Sequence, residues 1–368
     1  MLLRSLSLAN WRSYESAELT FEAGLTAILG ENGEGKTNLI EAIAWLSGVG
    51  SFRGGTDDAL VRSGAESAVI RAVIEADDGR EQTIEAELPR VGRNRVQVNR
   101  QRITRLGDLL SVFQVTVFSP DDLALVKGGP GERRQWLDQA LVSQAPRLAA
   151  LRNDVDRILK QRNALLRNVG GRLDRDAEIT LDIWDEKLAV AGQSLHDARC
   201  ELLQRISPEL DSAYGKVSQL RDHASIEYQS SWSGSLAEAL AESRTADLRR
   251  GVTTVGPHRD ELLLTISGAP ARTHASQGEQ RSLALALRLA VDAVVRQSGV
   301  IQPVLLLDDV FSELDSGRAG ALLDALPDTQ RFLTSAVGLP EGSAPATQFI
   351  VSAGNVVRTT NNEQIHGA

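Results

Sequence analysis

The chain has 368 residues, of which 24% are charged and 42% hydrophobic, and carries a formal net charge of −9 at pH 7. That length suits two structural units with a sizeable core, and the acid excess argues against a nucleic-acid coat acting by bulk charge. With no 18-residue apolar run there is no spanning helix, and lone Cys200 rules out an internal disulfide or a multi-cysteine metal site.

A single cysteine fits a reducing compartment. Arg12 and Glu15 follow soon after Leu2 and Leu3, leaving no room for the apolar core of an export signal. A cytoplasmic protein without membrane contact is therefore expected. Residues 3–8 alternate at strand period, and residues 25–29 form a short apolar strand. Gly30-Glu31-Asn32-Gly33-Glu34-Gly35-Lys36-Thr37 comes next and fits G-x-x-x-x-G-K-[ST]. Its glycines let backbone N–H groups curl round phosphate oxygens, Lys36 answers the β/γ charge, and the Thr37 hydroxyl faces Mg²⁺. A helix opens at Asn38, with its positive dipole end toward the anion. Strand, loop and helix in that order predict a nucleotide site for ATP with Mg²⁺.

Strands are predicted over residues 69–76 and 82–88, joined by the turn Asp77-Asp78-Gly79-Arg80. The segment 90–105 carries six arginines and no acid, and Arg93, Arg95, Arg100 and Arg102 are its candidate contacts to DNA phosphates. Residues 115–118 read as a further strand, ended by the helix start Ser119-Pro120-Asp121-Asp122.

The middle of the chain changes character. Leu148, Leu151, Val155, Ile158, Leu165 and Val169 follow steps of three and four, interrupted by Arg162. After Gly170-Gly171 the spacing resumes at Leu181, Trp184, Leu188, Leu195 and Leu202. This predicts an antiparallel helical hairpin over about 146–207, closed by Pro208, with further helices over 209–250. Strands return at 261–267, 304–307, 332–334 and 349–351, and a polar tail follows Arg358. The expected fold is therefore α/β: a head of residues 1–125 and 251–368 built from both chain ends, with a helical arm inserted at 126–250.

Two motifs complete the predicted site. Apolar residues running into Asp308 describe a buried parallel strand with a carboxylate at its C-terminal edge, where open α/β sheets hold ligands. Asp308 is assigned to Mg²⁺, and Asp309 to orienting or deprotonating a water; a helix cap is the plainer alternative for Asp309. Ser276-Gln277-Gly278-Glu279-Gln280 opens another helix as a capping box, and Ser276, Gly278 and Gln280 leave open backbone donors suited to an oxyanion. ATP held on Lys36 of one copy could be completed by Ser276 of another.

These segments resemble an ABC-type ATPase head of the SMC class, and within it the RecF family of bacterial recombination proteins. The resemblance rests on Asn10-Trp11-Arg12-Ser13-Tyr14, the Gly30 loop, residues 120–138, Gly256-Pro257-His258-Arg259-Asp260, the Ser276 motif and Asp308 to Leu322. It implies Arg12 near the phosphates, Asp315 in a loop that reports across an ATP-dependent homodimer, and slow hydrolysis that resets a clamp on double-stranded or gapped DNA. It also implies RecO and RecR as partners, help in loading RecA, and a place in DNA repair, replication restart and the SOS response. Trp136 stands where the family prefers Tyr or Phe, and Thr334-Ser335-Ala336 offers no switch histidine. His258 and His274 have no assigned role, and Phe52 and Arg53 are open candidates beside the adenine. The alternative is the nucleotide-binding subunit of a membrane transporter, which places its signature helix about 100 residues after the phosphate loop; here Gly30 and Ser276 lie 246 positions apart. A chromosome-organising SMC protein needs a far longer coiled coil.

Overall fold

The computed structural model describes residues 1–359 apart from Val49 and Val300. The polar tail expected beyond Arg358 therefore lies, from residue 360 on, outside the described residues. The chain opens with β1 (Leu2–Trp11), β2 (Tyr14–Thr20), β3 (Leu25–Leu29) and α1 (Lys36–Trp45), then β4 (Ser67–Glu75), β5 (Glu81–Pro89), β6 (Arg95–Val98), β7 (Gln101–Ile103) and β8 (Val115–Phe118). Next come α2 (Leu123–Lys127), α3 (Pro130–Gln144), α4 (Leu148–Asn168), α5 (Arg175–Ser218), β9 (Ala224–Gln229), α6 (Leu236–Arg250), β10 (Glu261–Ile266), β11 (Ala269–Pro270) and α7 (Ala271–His274). Then follow α8 (Gln277–Gln297), β12 (Val304–Asp308), α9 (Ser316–Ala325), β13 (Arg331–Ser335), β14 (Thr347–Ser352) and β15 (Asn355–Thr359).

Contacts divide the chain into two compact units. The first comprises residues 1–122, 216–220 and 285–368; the second, residues 123–215 and 221–284. The first unit holds two six-stranded sheets. One, ordered β2-β1-β4-β5-β6-β7, is antiparallel, and β4 alternates buried with more exposed positions as a half-covered strand must. The other runs β15-β14-β3-β13-β12-β8, parallel except at β15, and β12 is buried at all five residues, as a strand covered on both faces requires. Helix α1 packs against β12 and β13 and also against β1, which is why its apolar residues from Leu39 to Trp45 do not keep to one stripe. The parallel sheet takes β3 and β8 from before the helical region and β12, β13 and β14 from after it, so one sheet is indeed built from both chain ends.

Three expectations need correction. First, residues 251–284 group with the helical unit, not with the sheets of the first unit. The cause is strand pairing: β10 lies between β9 and β11 in a separate three-stranded antiparallel sheet. Second, the segment after the long helices is not all helical, because Ala224, Ile226 and Tyr228 alternate inward as β9 before α6 forms. Third, Pro208 does not end the second limb; α5 is 44 residues long and passes through it. A proline inside a helix costs about 3 kcal/mol. Leu202, Leu203, Ile206, Leu210 and Tyr214 keep helical spacing across it and are all buried, and each such side chain contributes about 1.5–3 kcal/mol, so burial outweighs the lost hydrogen bond.

Arg162, the interruption in the α4 stripe, is fully buried and explains how the hairpin is locked. Its guanidinium donates to Asp185 of α5 at 2.6 Å, to Asp247 of α6 at 2.7 Å and to Thr253 at 2.9 Å. Asp247, equally buried, also accepts from the Thr254 N–H and hydroxyl. Removing the cation leaves Asp247 charged without its counter-ion, a situation that costs about 3–5 kcal/mol. Arg162→Ala should lower the unfolding free energy by an amount in that range, obtained from denaturant curves followed by far-ultraviolet circular dichroism; a loss under about 1 kcal/mol would show that Arg162 is not the lock.

Candidate active site

The phosphate loop is shaped by close approaches that only glycine allows. Gly30 has φ +154°, and a Cβ there would stand 2.3 Å from the Val351 carbonyl oxygen at the end of β14. At Gly35, φ +114°, a Cβ would stand 2.7 Å from the Ser13 hydroxyl. The first turn of α1 carries no acidic residue and no side-chain cap, so its N–H groups are open to an anion. Lys36 folds over the loop, its Nζ donating to the Gly30 and Glu31 carbonyls at 2.7 Å each. Glu31, Asn32 and Gly33 form the exposed rim.

The turn between β1 and β2 grips the start of α1. The Trp11 indole donates to the Asn38 carbonyl at 2.8 Å, the Asn38 amide donates to Ser13 at 3.0 Å, and the Tyr14 hydroxyl donates to the Gly35 carbonyl at 2.8 Å. Arg12 sits at φ +49° with its guanidinium forked onto buried Glu41, both contacts at 2.8 Å, and a third bond to the Ala59 carbonyl. The structure thus commits Arg12 to bracing α1, while the Asn38 side chain joins this collar and accepts from Arg53 at 3.4 Å.

Two residues not singled out for this role complete the surround. Glu34 accepts from the Ala353 N–H, and its carbonyl accepts from the Gly354 N–H at 3.3 Å, so the β14–β15 turn backs the loop. Arg53 is exposed, and its positive charge reaches Asp308. No spacing rule in the sequence links Glu34 to a turn some 320 residues away; Arg53 is an open candidate beside the adenine in the sequence, which gives no sign of its charge acting on Asp308.

The second half of the site meets the first through β13, which lies between β3 and β12. Thr334 pairs in register with both Ile28 and Asp308. The Thr37 hydroxyl donates to Asp308 Oδ1 at 3.0 Å, and the Thr334 hydroxyl donates to the same oxygen at 2.8 Å. Burial pushes the Asp308 carboxyl above its ordinary range, partly countered by those hydroxyls, while the neighbouring Asp309 charge raises it further. Asp309 has φ +52°, and its N–H donates to Thr334 at 2.9 Å. It makes no side-chain cap to the short helical turn that follows. Its Oδ1 is buried with no hydrogen-bond partner among the described residues. A buried carboxylate oxygen that no protein donor engages can accept from a water or bind a cation. Thr37 and Asp308, side by side, supply the hydroxyl and carboxylate oxygens that a hard divalent cation takes.

Ser276, Gly278 and Gln280 belong to the second unit. Ser276 and Glu279 form the reciprocal capping box, with Ser276 N–H to Glu279 at 2.7 Å and Glu279 N–H to Ser276 at 3.3 Å, and Ser276 is exposed. Gln280 points inward, its amide donating to the Ala271 and Arg272 carbonyls, so the side chain holds α7. Asp315 caps α9 by accepting from the Arg318 N–H at 2.9 Å. Arg93 lies in the turn before β6, Arg95 and Arg102 on β6 and β7, and Arg100 in the turn between them; all four are exposed, and Arg95 pairs with Glu87 at 2.9 Å. Segments 120–138 and 256–260 meet inside the second unit: Arg134 donates to the Asp260 carbonyl, and Arg199 joins Asp138 to the Pro257 carbonyl. Trp136 is buried there as an anchor.

A phosphate loop after β3, a carboxylate pair after β12 in the same parallel sheet, and a helical unit within the chain define an ABC/SMC-type ATPase head. A family model described as RecF/RecN/SMC N terminal domain matches residues 2–337. Proteins named DNA replication and repair protein RecF from Streptomyces avermitilis and Frankia alni are 43% and 42% identical to this chain, covering 97% and 98% of it and 100% of each relative. A solved structure of the recombination mediator protein RecF with ATP, in the RecFOR pathway, matches with a TM-score of 0.89 at 30% identity over 97% of both chains. An SMC head bound to a winged-helix domain of ScpA matches with a TM-score of 0.62 at 19% identity over 98% of both chains, which speaks to the fold alone. The chain belongs to the bacterial RecF family.

His258 provides a test of the polar interior. Burial holds it down at about 4, below the ordinary 6.5, although the Thr253 carbonyl accepts from its ring at 3.1 Å. Between those values the unfolded chain binds a proton that the folded one refuses, so stability is complete above pH 6.5 and falls as pH drops toward 4. His258→Gln should remove up to about 1.4 kcal/mol per pH unit of that slope, read from denaturation curves across the window. Parallel curves for the two proteins would contradict the assignment.

Proposed function

We propose that this protein is an ATP-controlled DNA clamp of recombinational repair, which dimerises on ATP and is reset by slow hydrolysis. The observation that carries this reading is the contact of Thr37, at the start of an uncapped helix behind the glycine loop, with Asp308, next to Asp309 whose buried Oδ1 no donor among the described residues engages. The loop N–H groups and Lys36 bind the β- and γ-phosphates, and Asp309 orients the attacking water and takes its proton. Thr37 and Asp308 hold Mg²⁺, which when bound neutralises charge developing on the phosphates.

A second copy supplies the exposed Ser276 and the Gly278 backbone to the γ-phosphate, and Asp315 lies in the loop that senses the partner. Asp309 is one methylene shorter than the glutamate of transporters, consistent with slow turnover. In this reading the first unit is the ATPase head and the second the arm.

DNA enters through relatives named for DNA replication and repair and for the RecFOR pathway. Gapped duplex, RecO and RecR as partners, RecA loading and the SOS response belong to the same reading, as does a cytoplasmic location; no helix among the described residues is long and apolar enough to cross a membrane. Exposed Arg93, Arg100 and Arg102 are the contacts assigned to DNA phosphates on the first unit, with Arg95 shared between Glu87 and DNA.

Asp309→Asn should keep ATP-dependent dimers in gel filtration while turnover falls by roughly 10²–10⁴. Normal hydrolysis in that variant removes Asp309 from the chemistry. Ser276→Arg should leave ATP bound to a monomer and abolish the dimer; dimers of undiminished affinity, measured by light scattering with ATP, would place the γ-phosphate contact elsewhere.

A further inference from the structure

At one end of the second unit, where α4 and α6 terminate, lies a cleft of about 630 Å³. It is lined by Arg167, Arg249 and Arg250, by the glycines Gly170, Gly171 and Gly251, and by Leu166, Thr245 and Leu248. No acidic side chain lines it. In a protein of net charge −9, a cleft lined by three arginines and no acid stands out, although other arginines of the unit, Arg221 and Arg272 among them, also lack an ion pair among the described residues. Arg133, Arg152, Arg157, Arg162, Arg199 and Arg244 each pair with a carboxylate. Arg167, Arg249 and Arg250, all exposed, have no ion pair among the described residues, and neither do exposed Arg172 and Arg175 in the adjoining segment. Asp247 is buried on Arg162, and Asp174 caps the first turn of α5 through the Ala177 N–H; Asp176 and Glu178 stand in that same turn, and neither lines the cleft.

Helix ends account for part of this charge. Arg167 and the Arg249–Arg250 pair stand in the last turns of α4 and α6, where cations complement the carbonyl ends. Two such ends amount to about one negative charge in total, against three guanidiniums, so a surplus of about two positive charges remains. The floor is built for close approach. Gly170 and Gly171 adopt φ +56° and +86° and present bare backbone, and the Gly251 position admits a Cβ only 3.2 Å from the Arg167 side chain.

We infer that this cleft is a second DNA contact, seating the phosphodiester backbone of duplex DNA on the arm. It is separate from the arginines of the β6–β7 edge and rests on the DNA-clamp reading given above. The chemistry is counterion release: each phosphate neutralised steepens the fall of affinity with salt, and an uncrowded cleft with unpaired cations does this without first breaking an internal ion pair.

The experiment is a salt titration of duplex DNA binding by the full chain with ATP, read by fluorescence anisotropy, for the wild type and for Arg249→Gln/Arg250→Gln and Arg249→Lys/Arg250→Lys. The glutamine pair should flatten the plot of log affinity against log salt by about 2, at about 0.9 per lost phosphate contact, while the lysine pair keeps the wild-type slope. An unchanged slope in the glutamine pair, with the wild type binding duplex normally, overturns the cleft assignment and leaves the clamp reading intact. Equal flattening in the lysine pair traces the loss to a disturbed α6 end and also overturns it. A wild type that retains no duplex at any salt removes the clamp reading itself. ATP hydrolysis without DNA should be the same in all three proteins.

Discussion

A single carboxylate oxygen joins the two ends of this chain. Asp308 Oδ1 accepts from Thr37, at the start of α1, and from Thr334, on the strand between. The contact requires β3, β13 and β12 to lie side by side, and that order exists only because the chain returns to the same sheet after about 180 residues spent elsewhere. The price of the arrangement is a buried acid whose proton is held more tightly than usual. A carboxylate kept from water is well matched to a cation, which links the energetics of the sheet to the chemistry proposed for it.

The surround of the phosphate loop follows the same logic of shared supports. Val351 presses on Gly30 and the Ala353–Gly354 turn after it on Glu34, while Ser13 presses on Gly35, so two distant segments fix one loop. Arg12 reinforces the helix behind it through Glu41, itself fully buried. That pair binds two elements of the core together, and it gives the Asn10–Tyr14 segment a structural reason to be present whatever else Arg12 contacts when nucleotide arrives.

The phosphate loop, the apolar run into Asp308 and the helical stripe were legible because each is a local pattern with one physical reading. Strand against helix in the middle of the chain was less so. β9 is only six residues long, and its alternation is hidden beside a serine-rich turn. Pro208 misled because helix propensity is a weak term when five buried side chains span the break. Residues 251–284 were assigned to the wrong unit because sequence order does not reveal that β10 pairs with β9 in a small sheet of its own. Arg162 broke the stripe for a reason visible only in three dimensions: its partners Asp185 and Asp247 lie 23 and 85 positions away. Glu34 and its turn, and the collar that holds Arg12, are likewise products of tertiary contact.

The central claim is that Thr37 and Asp308, from opposite ends of the chain, act as one cation-holding pair in one nucleotide site. A double-mutant cycle tests it most directly: calorimetric titration of ATP, with and without Mg²⁺, into the wild type, Thr37→Ala, Asp308→Asn and the double variant. The account predicts that either single change abolishes the Mg²⁺-dependent part of the affinity and that the double variant loses little more. Additive losses, or a Mg²⁺ dependence that survives both changes, would contradict it.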